Sequence, residues 1–281
     1  MGGVTLRRLQ VRDLADVLQL TQAERWSHRM KDLEFHYRLA AGWAACNDDG
    51  KMLGTASWWA YGDGFATVGL VLVAREHQGQ GIGRQLMEAV MNDAAPRTLQ
   101  LVATKAGLTL YQRCGFREQY GIGQHQGIAA EIPPSQLPPY IVLRAACPAD
   151  LDSLCDLDAA AFGASRRDLI RAVLESGSGV LAIRGGRLAG FALTRQSGRG
   201  TVIGPVVASD EPLAIALIAH QLQSTSGFAR VDIPVGAVQL SMWLEAAGLV
   251  CVDHVTVMVR GDAAKQSSGA RVFALVSQAL S

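Results

Sequence analysis

The chain repeats itself, and that constrains its fold more than any other feature. The segment "LRRLQVRDLADVLQL", beginning at Leu6, returns as "LRAACPADLDSLCDL" from Leu143. At one constant offset Leu6, Arg7, Asp13 and Leu14 recur as Leu143, Arg144, Asp150 and Leu151, and Val17 and Leu20 as Leu154 and Leu157. Both copies read as a short strand, an Asp near a helix start, then apolar residues at helical spacing. Further on, "KMLGTASWW" matches "RLAGFALTR", with Gly54 opposite Gly190. Each follows a turn signal, "NDDGK" or "RGGR", which predicts a β-hairpin in each half. Two copies of one α/β domain are the simplest account.

Between the copies lies "EIPPSQLPPYIVL", where Pro133, Pro134, Pro138 and Pro139 make up four of the chain's nine prolines. Such a segment is neither helix nor central strand and reads as a stiff connector. The expected division is a domain over 1–131, a linker over 132–139, a second domain over 140–261 and a tail over 262–281, whose "RVFALVSQAL" reads as a short apolar helix. The 281 residues suit two domains. Hydrophobic residues at 49% against 18% charged support a sizeable core.

Composition also removes whole classes of function. A net charge of +1 argues against a broad grip on nucleic acid. Cys46, Cys114, Cys147, Cys155 and Cys251 are scattered with no CxxC pair, so they read as reduced thiols and not as a disulfide frame or a zinc site. The start "MGGVTLRRLQVRDL" has no apolar leader, and no apolar run approaches ~20 residues, so no membrane partner is expected. Met-Gly-Gly without Ser or Thr at position six does not read as a myristoylation site. The expected location is cytoplasmic.

Periodicity predicts, in the first half, strand 4–10, helices 13–25 and 29–40, strands 43–47, 51–61 and 65–73, helix 82–94, strand 98–103, helix 106–114 and strand 117–128. The second half repeats the order: strand 140–146, helices 149–161 and 165–176, strands 179–184, 187–195 and 200–208, helix 211–224, strand 229–234, helix 238–247 and strand 250–259.

The stretch "LVLVAREHQGQGIGRQLMEAVM" puts Gly79, Gly81 and Gly83 between an apolar strand and an amphipathic helix, the place where a phosphate is often held. A dinucleotide loop would be G-x-G-x-x-G after the first strand, and a P-loop would end in G-K-[ST]; this loop is G-x-G-x-G after the fourth strand and continues Gly83-Arg84-Gln85. Neither pattern fits. The stretch resembles the acetyl-CoA pyrophosphate loop of the GNAT acetyltransferases, V-x-x-x-x-[RQ]-x-x-G-x-[GA], which is present as Val73, Gln78, Gly81 and Gly83. Glycines let backbone N–H groups approach phosphate oxygens, and the helix from Ile82 directs its N-terminus at them. A second stretch, "LVATKAGLTLYQRCGF", resembles the last core motif of that superfamily, L-Y-x-x-x-G-F, at Leu110, Tyr111, Gly115 and Phe116. Thr104 stands where many members have Asn, so an Asn contact to pantetheine is not carried over. The second half, with "VIGPVVASDEPLAIAL", "VDIPV" and "WLEAAG", resembles the degenerate C-terminal domain of a two-domain subfamily, the YitH-like proteins.

The resemblance implies two tandem GNAT domains of α/β (α+β) class, each a mixed, mostly antiparallel sheet flanked by helices. It implies acetyl-CoA as cofactor, held by Val71, Leu72, Val73, Gln78, Gly79, Gln80, Gly81, Ile82, Gly83 and Arg84, with Tyr111 beside the thioester sulfur. The reaction it implies is direct transfer to an amine, which needs a base for the amine, a donor for the oxyanion and an acid for the thiolate. Tyr111 suits the acid; otherwise it packs under the sheet. Among Glu24, His28, Asp32, Glu34 and His36, His28 is the first choice of base because only His titrates near neutrality unperturbed; the alternatives are ordered water as base and a solvated helical face. Trp26, His28 and Asp32 are candidate acceptor contacts, and Trp58 and Trp59, adjacent on a strand, must face opposite sides. Tyr61 is a further candidate for that pocket. Asp232 is a candidate contact for a cationic acceptor, or else a strand-end Asp bonding nearby backbone.

At the turn equivalent to the glycine loop the second copy has Asp210, Glu211 and Pro212, which repel a diphosphate and remove a donor. Leu244 stands in the place of Tyr111. The expected enzyme is an N-acetyltransferase acting on a small-molecule amine, with a protein N-terminus or lysine as alternative acceptors. The rival is a non-catalytic acyl-CoA-binding sensor.

Overall fold

The computed structural model describes residues 3–129, 131–262, 267 and 269–281. The Met1-Gly2 start and the tail positions 263–266 and 268 lie outside the described residues, and with them the reading of the N-terminal glycine.

The first half runs β1 (Thr5–Arg8), α1 (Leu14–Ala23), α2 (Met30–Tyr37), β2 (Ala41–Cys46), β3 (Met52–Tyr61), β4 (Phe65–Val73), α3 (Ile82–Ala94), β5 (Thr98–Ala103), α4 (Leu108–Arg113) and β6 (Arg117–Ile128). The second repeats the order: β7 (Ile141–Ala145), α5 (Leu151–Phe162), α6 (Arg167–Ser176), β8 (Gly177–Arg184), β9 (Arg187–Ser197), β10 (Gly200–Ala208), α7 (Glu211–Gln223), β11 (Phe228–Pro234), α8 (Val238–Ala246) and β12 (Val250–Arg260). No helix or strand falls among 131–140, the proline-rich stretch.

The repeat in sequence is a repeat of one physical device. Arg7 forks onto Asp13 at 2.7 and 2.8 Å, and Asp13 also accepts the Gln10 N–H at 2.7 Å. Arg144 forks onto Asp150 at 2.8 and 2.5 Å, and Asp150 accepts the Cys147 N–H at 2.9 Å. In both copies the buried carboxylate ties the first strand to the start of the first helix and satisfies a backbone donor there.

Two compact units result. The first takes the described residues up to Gln119, the end of β12 from Met258, and Leu280; the second takes Tyr120–Val257, the described tail up to Ala279, and Ser281. In the first unit the strands run in the order β1-β2-β3-β4-β5, antiparallel except that β4 and β5 are parallel. Ile82, Leu86 and Val90 of α3 are buried against Leu53, Val68, Leu99 and Leu101. In the second unit the order is β6-β11-β10-β9-β8-β7, with only β10 and β11 parallel. Its core is Leu213, Leu217 and Ile218 of α7 and Leu240 and Leu244 of α8 on Ile203 and Val231.

The tail corrects the sequence reading. "RVFALVSQAL" is not a helix: Arg271–Ala274 form a strand, β13, antiparallel to β10. Phe273, Ala274, Leu275 and Val276 are all buried, and a continuous apolar run of that length is compatible with either a buried strand or a buried helix segment on periodicity alone.

Candidate functional site

In the first unit β4 and β5 pair only from Phe65↔Thr98 to Val68↔Leu101. Beyond that the two strands part, and Gly69–Val73 keep a partner on the β3 side alone. The parting coincides with a bulge, where the register shifts between Thr55 and Ser57, and with Leu70 at φ +50°, an uncommon conformation for leucine. Ala74 donates to the Leu53 carbonyl at 2.8 Å, toward β3. By strand alternation the N–H groups of Val73 and Val71 therefore point the other way, into the gap.

The glycine loop sits at the end of this gap. Gly79 and Gly81 have φ of +75° and +84°, which is why glycine stands there, and a Cβ on either would meet nothing within 4 Å. Gly81 is the N-cap of α3, and no side chain caps the helix. The first bonded donor of the helix is Gln85, to the Gly81 carbonyl at 3.1 Å, so the N–H groups of Ile82, Gly83 and Arg84 face an open, exposed loop. Gln78 folds back to donate to the Val73 carbonyl at 3.1 Å, Gln80 donates to the Glu76 carbonyl at 3.3 Å, and Arg84 pairs with Glu88 on the surface at 2.7 Å. The arrangement combines a donor-rich helix end, which favours an anion, with a strand edge that β5 does not pair past Val68.

Tyr111 is buried in α4, its ring edge-on to Phe116 with centroids 6.2 Å apart. Burial, with the Cys114 thiol nearby, pushes its phenol well above the ordinary range, so it keeps its proton at neutral pH. Its hydroxyl makes no hydrogen bond among the described residues. Gly107 makes room for it: a Cβ there would lie 2.6 Å from Tyr111 Cε2. The sequence reading missed Gly107, although a glycine one turn before a motif tyrosine was a visible signal.

The structure brings Trp26 and His28 together with two residues of the core. Ring centroids run Trp26–His28 5.8 Å, His28–His36 5.9 Å and His36–Trp59 5.6 Å. Trp59 also donates to the His36 carbonyl at 3.0 Å. Trp58 faces the other side of the sheet, donating to Asp93 of α3 at 2.9 Å, as adjacent strand residues must. Asp32 lies buried at the start of α2, where it accepts the Arg29 N–H at 2.9 Å and pairs with the Arg29 guanidinium at 2.9 Å. Tyr61 donates to the Leu280 carbonyl at 2.8 Å. Asp232, in the second unit, pairs with Arg230 at 2.6 Å and is buried.

The second unit closes the equivalent helix end. Asp210 caps α7, accepting the Leu213 N–H at 2.9 Å, and Pro212 lies in the first turn. Glu211 accepts the Leu240 N–H at 2.8 Å, at the start of α8. The acidic residues thus do more than repel an anion: Asp210 already occupies one donor an anion would use, and Glu211 is held by the next helix.

Two family models match the chain, each described as an acetyltransferase (GNAT) domain, one over residues 40–118 and one over 154–274. The chain belongs to the GNAT acetyltransferases. It carries two such domains in tandem, and acetyl transfer from acetyl-CoA is that family's chemistry. A Bacillus subtilis protein called uncharacterized N-acetyltransferase YitH is 28% identical over 217 residues, 76% of each chain. The crystal structure of a putative acetyltransferase from Pyrococcus horikoshii superposes with a TM-score of 0.79 at 18% identity, covering 100% of this chain and 97% of that one. A tandem GNAT protein from the clavulanic acid biosynthesis pathway superposes at 0.63 with 14% identity, covering 93% and 100%. At these identities the two structures speak for the fold, a tandem GNAT architecture. Among the described residues no helix is long and apolar enough to cross a membrane.

Proposed function

We propose that the first GNAT domain transfers acetyl from acetyl-CoA to the amine of a small molecule, by direct attack within a ternary complex. The observation that carries this reading is the pairing, in one unit, of an uncapped helix start at Gly81 with a strand edge left open from Gly69 to Val73. On this reading the N–H groups of residues Gly79 to Arg84 hold the diphosphate. Gln78 and Gln80 hold the loop in shape through the Val73 and Glu76 carbonyls. The backbone of Val71, Leu72 and Val73 lies along the pantetheine arm, and the Val73 N–H serves the developing oxyanion.

The chemistry balances with two side chains. The amine loses a proton to His28, or to water ordered beside it, as its nitrogen bonds to the thioester carbon. The C–S bond then breaks, and Tyr111 gives its proton to the leaving sulfur. A phenol kept protonated by burial, with its hydroxyl not engaged elsewhere, is suited to that step. Trp26 and His28 line the acceptor side, and Asp32 acts one step back, fixing Arg29 and the start of α2. Asp232 could meet a cationic acceptor only by giving up Arg230, so the first domain is the better acceptor site.

Thiol release from acetyl-CoA over a panel of small amines, peptide N-termini and lysine peptides tests the proposal. Tyr111→Phe in the same assay should lower turnover by about 10²–10⁴-fold with little change in acetyl-CoA affinity. Failure of every amine in the panel to release thiol, while acetyl-CoA still binds, would favour a sensor over an enzyme.

A further inference from the structure

The two strand edges can be matched residue by residue. Trp58 stands opposite Val68 and Thr55 opposite Leu72; in the second unit Thr194 stands opposite Ile203 and Phe191 opposite Val207. With Gly54 equivalent to Gly190, Val206–Ala208 take the place of Val71–Val73. The second unit opens its strands in the same way: β10 and β11 pair only at Thr201↔Ala229 and Val202↔Arg230, and β10 has a bulge between Ile203 and Val206. Past the bulge the two units differ. Val206, Val207 and Ala208 pair with Ala274, Val272 and Arg271 of β13. On the far side Leu275 donates to the Asp232 carbonyl of β11 at 2.9 Å. The tail strand lies in the wedge between β10 and β11 and bonds to both.

We propose that this wedge is a binding site for an extended peptide strand, filled in cis by residues 271–275. The recognition is backbone ladder plus one apolar anchor, the mode of strand addition to a sheet edge. Phe273 and Ala274 are buried in the core of the unit with Leu213 and Leu217 of α7. Arg271, exposed, lies over the Phe273 ring at 5.5 Å. Gly204 admits the strand: a Cβ there would sit 1.8 Å from the Leu275 carbonyl oxygen, a backbone atom that cannot turn aside. A glycine is therefore required where the tail passes. The equivalence with a cofactor cleft rests on the function proposed for the first domain; the strand site stands on its own contacts.

The test uses the full chain in two variants. Gly204→Val should expel the tail, and Leu275→Pro should weaken it by removing the N–H given to Asp232, leaving the wedge intact. In either, amide exchange at Val206–Ala208 and at 271–275 should rise by about tenfold or more, the scale of a lost backbone hydrogen bond. A labelled peptide of residues 269–279 should bind the Leu275→Pro variant and compete with its own tail, and should not bind Gly204→Val. Should Gly204→Val fail to fold, the Leu275→Pro exchange and peptide titration decide alone. Unchanged protection in Leu275→Pro, or a tail released in Leu275→Pro with no binding of the peptide to that variant, overturns the proposal. A second equivalent of CoA taken up by the variant would also overturn it, by making the wedge a cofactor cleft that the tail holds shut. The first domain's own acetyl-CoA equivalent is read in the same titration, so failure of the cofactor reading is seen separately.

Discussion

Gly107→Ala isolates the position of the Tyr111 hydroxyl from its chemistry. Gly107 has φ −85° and ψ −19°, a helical conformation that alanine adopts freely, so the backbone has no objection to the change. The added methyl would lie 2.6 Å from Cε2 of Tyr111 and 3.3 Å from Cζ. The ring must retreat by roughly 1 Å to restore ordinary contact, and the phenol oxygen moves with it. Gly107 is the N-cap of α4, where alanine gains nothing over glycine, and the crowding costs about 1–3 kcal/mol, so the domain stays folded with a modest loss. A misplacement of that size at a reacting group costs about 10²-fold in rate. The expected result is a turnover about two orders of magnitude below wild type, with acetyl-CoA affinity by calorimetry unchanged. In a Tyr111→Phe background the same substitution should cost little more, because the group it displaces is already gone. Turnover within a factor of two of wild type would refute the assignment of Tyr111 as the proton donor. A loss that is equally large in both backgrounds would show that the methyl acts through something other than the hydroxyl.

Gly81→Asp places a carboxylate at the start of α3, as Asp210 stands at the start of α7; acetyl-CoA affinity should fall by at least about tenfold from repulsion alone, at ~1 kcal/mol or more per charge pair near contact. Unchanged affinity would place the diphosphate elsewhere. Calorimetric titration should give one CoA per chain, and two equivalent sites would contradict the closed α7 end. Asp13 is held below the ordinary carboxylate range, first by the Arg7 guanidinium and then by the Gln10 N–H. A carboxyl depressed in the folded state stabilises above its unfolded value, near 3.9, and that contribution is lost as pH falls through the folded one. Asp13→Asn should thus cost about 2 kcal/mol at neutral pH, with wild type and variant converging in denaturant melts below about pH 4.

The fold was legible because the two halves confirm each other. Each predicted helix and strand of the repeat appears, with ends shifted by a few residues, since local pattern and tertiary demand agree there. Trp58 and Trp59 took opposite faces because strand geometry leaves no other choice. The tail was misread because its state is decided non-locally. Nothing in "RVFALVSQAL" announces that Val206–Ala208, some sixty residues earlier, offer an unpaired edge. The site divides the same way. Gly79, Gly81 and Tyr111 announced themselves through motifs, whereas the edge-to-face contacts of His28 with His36 and of His36 with Trp59 need α2 packed on β3, which no spacing records. Asp32 looked like a candidate contact because exposure cannot be read from type; in the fold its charge is already matched by Arg29.

The two copies differ less in fold than in who satisfies the backbone. Folded chains leave few N–H and C=O groups without a partner, so a stretch of donors unanswered by the chain is left to water or to a ligand. In the first unit two such stretches remain together, the start of α3 and the edge of β4 past Val68. In the second both are answered from within the chain: the helix start by Asp210, and the strand edge by β13 with Leu275 reaching across to Asp232. These answers are independent, since one comes from a side chain in the turn and the other from a strand more than sixty residues on. Had the second copy merely decayed, the loss of one stretch would not predict the filling of the other. That both are filled, with Gly204 kept small where the tail passes, argues that the second domain was rebuilt as a closed, self-satisfied sheet.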